Sequence, residues 1–266
     1  MRYYVSQQLG TVFFWLPKSG VTSFLEIIEY MESGEEAEVY SRDEQIHKPK
    51  YWAKNQKLAR GNYKTVFLYR PVHERILSGF LDKYVHVNSP IPATGVPVSD
   101  TFEEFINLIA STNLCSKRLV DVNIDPVHFG DIKTKGLEQF ELLNVNKFDM
   151  VIRTPLTAFP EGKIIQSGLE MQRLINLVAP ERKYADIKHK YVSVPGGINI
   201  WEHYKNKIEY YTGAAEKLTK KQLQQFQTKT KNRTIHLESF YPRHLYKTVC
   251  RVYASEIDFV ETYKDK

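Results

Sequence analysis

Two short runs in this sequence combine residue types that bind and activate anionic groups. The first is Trp15-Leu16-Pro17-Lys18-Ser19-Gly20-Val21-Thr22-Ser23. Lys18 supplies a mobile positive charge, Gly20 lets the backbone come close to a ligand, and Ser19, Thr22 and Ser23 add hydroxyl donors. The second is Tyr69-Arg70-Pro71-Val72-His73-Glu74-Arg75-Ile76-Leu77-Ser78. A guanidinium fork at Arg70 with a hydroxyl at Ser78, about two helical turns on, can hold one phosphate dianion. Each run also has a plain reading. The first can be an ordinary strand–turn–helix with a solvent lysine, and in the second Arg70 and Arg75 can pair with nearby acids, Glu74 included. A proton acceptor would complete such a site, and histidine is the side chain whose unperturbed pKa lies near neutrality. Eight are present: His47, His73, His86, His128, His189, His203, His236 and His244.

The elements around these runs are legible from their patterns. Thr11 to Leu16 is β-branched and aromatic, bounded by Gly10 and Pro17, and predicts a short buried strand. A first strand begins almost at Met1. Phe24, Ile27, Ile28 and Met31 follow the i, i+3, i+4, i+7 spacing of one helical face, and Ser33-Gly34 ends that helix. Thr65 to Tyr69 predicts a second buried strand. After Pro71 a helix carries Ile76, Leu77, Phe80, Leu81 and Tyr84 inward. Asp100 with Glu103 has the form of a capping box, opening a helix through Phe105, Ile106 and Ile109. Further on, the pattern predicts a strand over Phe148 to Arg153, a helix over Leu169 to Val178, a basic helix over Glu216 to Lys229 and a last helix from near Pro242 that turns Leu245, Val249, Val252 and Tyr253 inward. Residues 34–62, 88–98 and 190–201 read as irregular, and 112–140 gives no clear pattern. Strands alternating with helices imply a parallel sheet with helices on its faces, and such sheets take ligands at the carboxyl ends of their strands. The turns at Pro17 and Pro71 both follow such ends. The first turn leads straight into a helix, whose leading N–H groups and dipole favour anions.

Bulk properties narrow the class. At 266 residues, 42% hydrophobic and 26% charged, the chain has the balance of an ordinary globular protein, large enough for one α/β domain or two small ones. Net charge is +6 and the pI about 9.0, which favours acidic partners. Two distant cysteines, Cys115 and Cys250, do not make a disulfide scaffold. The early apolar run is far shorter than the roughly 20 residues of a membrane span. These features read as a cytoplasmic protein, or a soluble piece of one that carries an anchor elsewhere. Asn232-Arg233-Thr234 is a glycosylation sequon that matters only in a secreted protein. The first run is not a Walker A loop, because its lysine precedes the glycine and the leading glycine is missing. That disfavours a magnesium-dependent nucleotide triphosphatase.

Taken together, the two runs resemble the sulfotransferase superfamily, which pairs a loop of the Pro-Lys-x-Gly-x-Thr-Ser type with a downstream Arg…Ser element. The spacing Arg-x-x-x-x-Arg-x-x-Ser from Arg70 through Arg75 to Ser78 is most similar to the Golgi carbohydrate sulfotransferases, including the chondroitin and dermatan 4-O type. Their run is usually Arg-x-Pro-Phe-Glu-Arg-Leu-x-Ser-Ala. Here the proline comes one place early and His73 stands where Phe is usual, while the frame from Glu74 onward holds, as does Lys83-Tyr84. Weaker patches follow: Asp125-Pro126-Val127-His128-Phe129 resembles the family's Asp-x-His-Trp with one extra residue, Phe148-Asp149-Met150-Val151-Ile152 its Tyr-Asp-Phe-Val-Gly strand, and Tyr253 to Tyr263 its terminal Tyr-x-x-Asp-x-x-x-x-x-Tyr. The family's paired cysteines near the His-Trp region are absent.

The resemblance implies a single sulfotransferase domain over residues 1–266, with a P-loop-like α/β fold: a parallel sheet flanked by helices. It implies 3'-phosphoadenosine-5'-phosphosulfate as sulfuryl donor, no metal, and a carbohydrate hydroxyl as acceptor, acidic polysaccharides included; no nucleic-acid partner is expected. Lys18, Ser19, Gly20, Val21, Thr22 and Ser23 would hold the 5'-phosphosulfate end, with Lys18 neutralising the bridging oxygen of the leaving phosphate. Arg70 and Ser78 would hold the 3'-phosphate. His47 is the first candidate for the catalytic base. His47-Lys48-Pro49 has the His-x-Pro form found in the cytosolic sulfotransferases, and Arg70 follows 23 positions later, a spacing similar to theirs. His128 is second and His86 third. The basic cluster Lys217, Lys220, Lys221, Lys229, Lys231 and Arg233 would steer an acidic saccharide. Two other classes fit less well: a P-loop-type kinase using ATP, for which no convincing acidic magnesium ligand follows a strand, and a non-catalytic basic glycan-binding module, supported by that cluster alone.

Overall fold

The computed structural model describes residues 2–34, 63–85, 99–130, 148–153, 172–182, 209–211, 213–229, 233–235 and 237–264. His47, His86, Lys231 and Asn232 lie outside them, as do the loops expected over 88–98 and 190–201. The chain forms two compact units. One comprises Met1–Arg70, Lys135–Ile200 and Val260–Lys266, the other Pro71–Thr134 and Trp201–Phe259.

The fold is α/β, built on a four-stranded sheet in the order β1-β2-β3-β4: β1 Arg2–Ser6, β2 Thr11–Trp15, β3 Lys64–Tyr69 and β4 Met150–Arg153. β2, β3 and β4 are parallel, with Trp15 opposite Leu68 and Tyr69 opposite Arg153. The sheet is mixed rather than wholly parallel because β1 joins β2 antiparallel. The short turn between them, in which the Gly10 N–H donates to the Gln7 carbonyl over 3.3 Å, is too brief for the crossover that a parallel pairing needs. Gly10 takes φ 56° there, the left-handed region that favours glycine.

Every residue of β2 is buried, which explains its unbroken apolar run: both faces are covered. On one face Phe13, Trp15, Val66, Leu68 and Ile152 meet Phe24, Ile27, Ile28 and Met31 of the Val21–Ser33 helix, and Leu174 and Ile175 of the helical segment 172–178. Burial of each such side chain is worth about 1.5–3 kcal/mol. On the other face Phe148 stacks on Phe67 at 5.1 Å and meets Tyr263 edge-on at 5.1 Å. Gly34 ends the first helix in the left-handed conformation, φ 76°, as the Ser33-Gly34 pair implies. Asp149, from the strand-like patch of the resemblance, fixes strand register: its Oδ2 accepts from the Thr65 N–H at 2.6 Å, and its own N–H donates to the Thr65 carbonyl at 2.8 Å.

The second unit is helical with a small parallel pair, β5 Glu209–Tyr211 and β6 Arg233–Ile235, which the sequence patterns do not reveal. The helix after Pro71 spans Val72–Phe80 and then widens into a π turn over Leu81–Val85, so the single regular helix expected through Tyr84 is corrected. The next helix, Phe102–Thr112, is capped by Thr101 with Glu104, one residue later than the Asp100–Glu103 reading. Both pairs have the right spacing. The later start puts Phe102 in the first turn, fully buried against Phe80 and Phe240, and leaves Glu103 to pair with His244 at 3.1 Å. The basic helix begins at Lys220 rather than Glu216, because Thr219 and Gln222 cap one another; Glu216 lies buried in the preceding turn. The last helix is two: Arg243–Val252 buries Leu245 and Val249, and Ala254–Lys264 follows a break at Tyr253.

Gly79 marks a close approach within this unit. A Cβ there would lie 2.7 Å from two ring carbons of Phe129, and Phe129 is itself fully buried between Phe105 and Tyr84. Gly79→Ala is expected to destabilise the protein by about 1–3 kcal/mol from overpacking, against a helix-propensity gain of about 1 kcal/mol. A urea midpoint that rises instead would show that the ring gives way freely.

Candidate functional site

Lys18 and Gly20 bend the chain off the end of β2. Both have left-handed backbones, φ 66° and 77°, and the Ser19 N–H closes the turn onto the Leu16 carbonyl at 3.2 Å. Glycine adopts that geometry freely; lysine does so at a cost of about 1–2 kcal/mol. The Val21–Ser33 helix then starts with Gly20 as N-cap, no capping side chain and no acid in its first turn. Its first internal bond runs from the Phe24 N–H to the Gly20 carbonyl, 3.2 Å. The backbone N–H groups of Val21, Thr22 and Ser23 precede that bond and lie at the positive end of the helix. Ser19 is fully buried beneath the turn, and Lys18 is half-buried.

Arg70 leaves β3 one residue after Tyr69 and is 5% exposed. Since β2 and β3 are neighbouring parallel strands with Trp15 level with Leu68, the Lys18 turn and Arg70 emerge at the same carboxyl edge. β4 delivers Arg153 to that edge too, opposite Tyr69. The sequence reading places Arg153 in a strand but assigns it no role. Its signal was available: like Arg70, it is a basic residue closing a short apolar strand. Ser78 sits half-buried on the Val72–Phe80 helix.

The second arginine of that run has a structural job. Arg75 is buried and grips Glu256 with two parallel bonds, Nε to Oε1 at 3.0 Å and Nη2 to Oε2 at 2.6 Å. Burial alone would lower the Arg75 pKa, but the Glu256 carboxylate outweighs it and raises it. Its remaining nitrogen, Nη1, donates to the His128 carbonyl at 2.7 Å. Tyr253 donates its hydroxyl to the next carbonyl, that of Phe129, also at 2.7 Å. The short helix Pro126–Phe129 is thus held by its last two carbonyls, groups that a helix end leaves without internal partners.

At the other end of that short helix, Asp125 is the N-cap. Its Oδ1 accepts from the Val127 N–H at 2.7 Å and its Oδ2 pairs with Nδ1 of His128. Burial alone would raise the Asp125 pKa; the hydrogen bond and charge of His128, the Val127 N–H and Lys83 outweigh it and hold the carboxyl below its ordinary value. The Asp125 N–H donates to the Tyr84 hydroxyl at 3.2 Å. Lys220 stands 5.7 Å from the centre of the same Tyr84 ring and is half-buried, with its pKa lowered by that burial. Within the expected basic cluster, then, Lys217 and Lys221 are exposed while Lys220 lies over an aromatic ring.

Cys115 and Cys250 are both free thiols. Among the described residues no helix is long and apolar enough to cross a membrane. No protein-family model, curated protein or solved structure matches the chain.

Proposed function

We propose that this chain transfers a sulfuryl group from 3'-phosphoadenosine-5'-phosphosulfate to a hydroxyl of a carbohydrate. One observation carries the reading: the Lys18 turn with its helix start, and Arg70, emerge from adjacent parallel strands at one carboxyl edge, where open α/β sheets take their ligands. Lys18, Ser19, Gly20, Val21, Thr22 and Ser23 would hold the phosphosulfate end, and Arg70 with Ser78 the 3'-phosphate. Arg153 adds a third positive charge at that edge. In the reaction the acceptor oxygen attacks sulfur while the bond from sulfur to the phosphate oxygen breaks, its electron pair passing to that oxygen. Lys18 neutralises the charge developing there, so catalysis is positioning plus electrostatic stabilisation. The carbohydrate acceptor rests on the resemblance, and the exposed lysines 217 and 221 suit an acidic one.

Thermal unfolding tests the donor class. At about 100 times its Kd, 3'-phosphoadenosine-5'-phosphate should add about 2.7 kcal/mol of stability, a rise of about 5–10 °C in Tm. A shift with Mg-ATP instead would indicate a kinase, and no shift with either a pure binding module. Arg70→Ala separates the two ends of the ligand. Loss of a charged hydrogen bond costs about 1.5–3 kcal/mol, so the bis-phosphate should bind about 10–150-fold more weakly. Adenosine 5'-phosphosulfate, which lacks the 3' group, should be nearly unaffected; an equal loss for both would remove Arg70 from the 3'-phosphate.

A further inference from the structure

The Arg243–Val252 helix has two unlike faces. Leu245 and Val249 point inward and are fully buried. Arg243, Lys247 and Arg251 are exposed. They are spaced i, i+4, i+8, so they line one ridge of the helix, with steps of about 6 Å along its axis. Among the described residues none of the three forms an ion pair. The acids at the start of the neighbouring Phe102–Thr112 helix are already engaged. Glu103 pairs with His244 at 3.1 Å, and Glu104 accepts from the Thr101 N–H of its own cap at 3.2 Å. Like charges four residues apart destabilise a helix, and an anion lying along the row relieves that repulsion.

An aromatic ring borders the row. Tyr246, three residues after Arg243, is 45% exposed. Its ring is held from below. It meets the His73 ring at 5.5 Å, and His73 meets Tyr241 edge-on at 5.9 Å. The Tyr241 hydroxyl in turn donates to the His73 carbonyl. We infer that this face of the helix binds an acidic polysaccharide, with its sulfate or carboxylate groups on Arg243, Lys247 and Arg251 and a sugar ring on Tyr246. A guanidinium fork takes such oxyanions with paired hydrogen bonds, and tyrosine suits a partner that is part apolar and part wet. The net charge of +6 draws polyanions to the chain. A membrane surface fits less well, because an interfacial helix inserts its apolar face, and here Leu245 and Val249 are buried in the protein. Duplex nucleic acid also fits less well, since binding through phosphates commonly rests on about 6–10 contacts and the row is shorter. The choice of a saccharide among polyanions rests on the sulfuryl-transfer reading.

Fluorescence anisotropy of labelled chondroitin sulfate with the full chain tests the surface directly, without donor or turnover. The parent should bind it, more weakly as salt rises, and should ignore neutral dextran. Each exposed ion pair lost weakens binding about two- to fivefold, so Arg243→Gln, Lys247→Gln and Arg251→Gln combined should bind about 10–100-fold more weakly. Glutamine matches lysine and arginine in helix propensity, so the circular dichroism spectrum should hold. Arg243→Lys with Arg251→Lys keeps all three charges and should retain most of the affinity. Tyr246→Ala should weaken the complex without changing its dependence on salt. Equal affinity of the parent and the triple variant overturns the inference, as does loss of binding only when Lys217 and Lys221 are changed to glutamine. Equal or tighter binding of duplex DNA, or of phosphatidylserine vesicles, through the same three residues overturns the choice of a saccharide. A parent that binds chondroitin sulfate through the row but transfers no sulfuryl group to any saccharide overturns the proposed function and leaves the surface standing. Transfer to a saccharide with no binding at the row overturns the surface alone.

Discussion

Replacing Glu256 with alanine is expected to destabilise the protein by about 3–5 kcal/mol, the usual effect of breaking a buried ion pair by removing one partner. The Arg75 side chain is 3% exposed and that of Glu256 4%, so water cannot replace the lost carboxylate. The guanidinium would stay charged, since even burial does not take arginine into the neutral form. The damage should spread to the His128 carbonyl, because Arg75 holds that group with the one nitrogen it does not give to Glu256. The pair itself is a different matter. Arg75→Met combined with Glu256→Leu removes both charges and fills the space with apolar atoms, an exchange that is often neutral or stabilising. Here it would leave the His128 carbonyl without its donor, a cost of about 1–3 kcal/mol. Urea unfolding of the two single variants and the double variant measures all three quantities. A loss below about 1 kcal/mol for Glu256→Ala would mean that the pair is hydrated in solution and that the short helix is anchored by other contacts.

Lys18→Ala is expected to lower kcat by about 10²–10³-fold, the range found when one preorganised electrostatic donor is removed from a developing negative charge. In the proposed transfer that charge appears on the bridging oxygen only as the sulfur–oxygen bond breaks. Affinity for the desulfated bis-phosphate should therefore fall much less than turnover does. A second replacement sharpens the test. Lys18 has φ 66°, a conformation that costs a lysine about 1–2 kcal/mol and glycine almost nothing. Lys18→Gly should lose the same activity as Lys18→Ala yet unfold at higher denaturant, the trade expected where a residue is kept for function against local preference. If both variants turn over normally, the lysine is an exposed turn residue and the phosphosulfate loop loses its catalytic charge.

How much of this was legible in advance follows the range of the interactions. β2, β3, the first helix and the turns at Pro17 and Pro71 were readable because apolar runs and helical periodicity are local signals. The shared carboxyl edge of Lys18 and Arg70 followed from alternation of strands and helices. The shift of the capping box from Asp100 to Thr101 was not readable, since both residues meet the spacing and tertiary burial of Phe102 decides between them. The π turn at Leu81–Val85 and the break at Tyr253 escaped as well: Tyr84 bonds to Asn123 and Asp125 and Tyr253 to Phe129, long-range contacts that carry no local signal. Arg75 is the clearest case. Local reasoning offered Glu74, but adjacent residues on a helix do not face each other, and its true partner is 181 positions away. Lys220 reads in the sequence as one charge of a basic cluster, because the Tyr84 ring it lies over is a long-range neighbour.

The distance between Arg75 and Glu256 also sets a timetable. A ribosome adding about 5–20 residues per second needs roughly 10–35 s to cover the 181 positions that separate them. Throughout that interval the Val72–Phe80 helix carries an arginine without its carboxylate partner, and the Pro126–Phe129 segment, once made, waits for the Tyr253 hydroxyl that holds the Phe129 carbonyl. Long-range contacts of this kind form late, because closing the chain between them must precede any reward. Assembly of the Asp125–His128 region is thus coupled to arrival of the C-terminal helices. A nascent chain halted before Tyr253 should hold its strands β1, β2 and β3 in place while its histidine remains unset, and chaperones or proteases would meet that intermediate first.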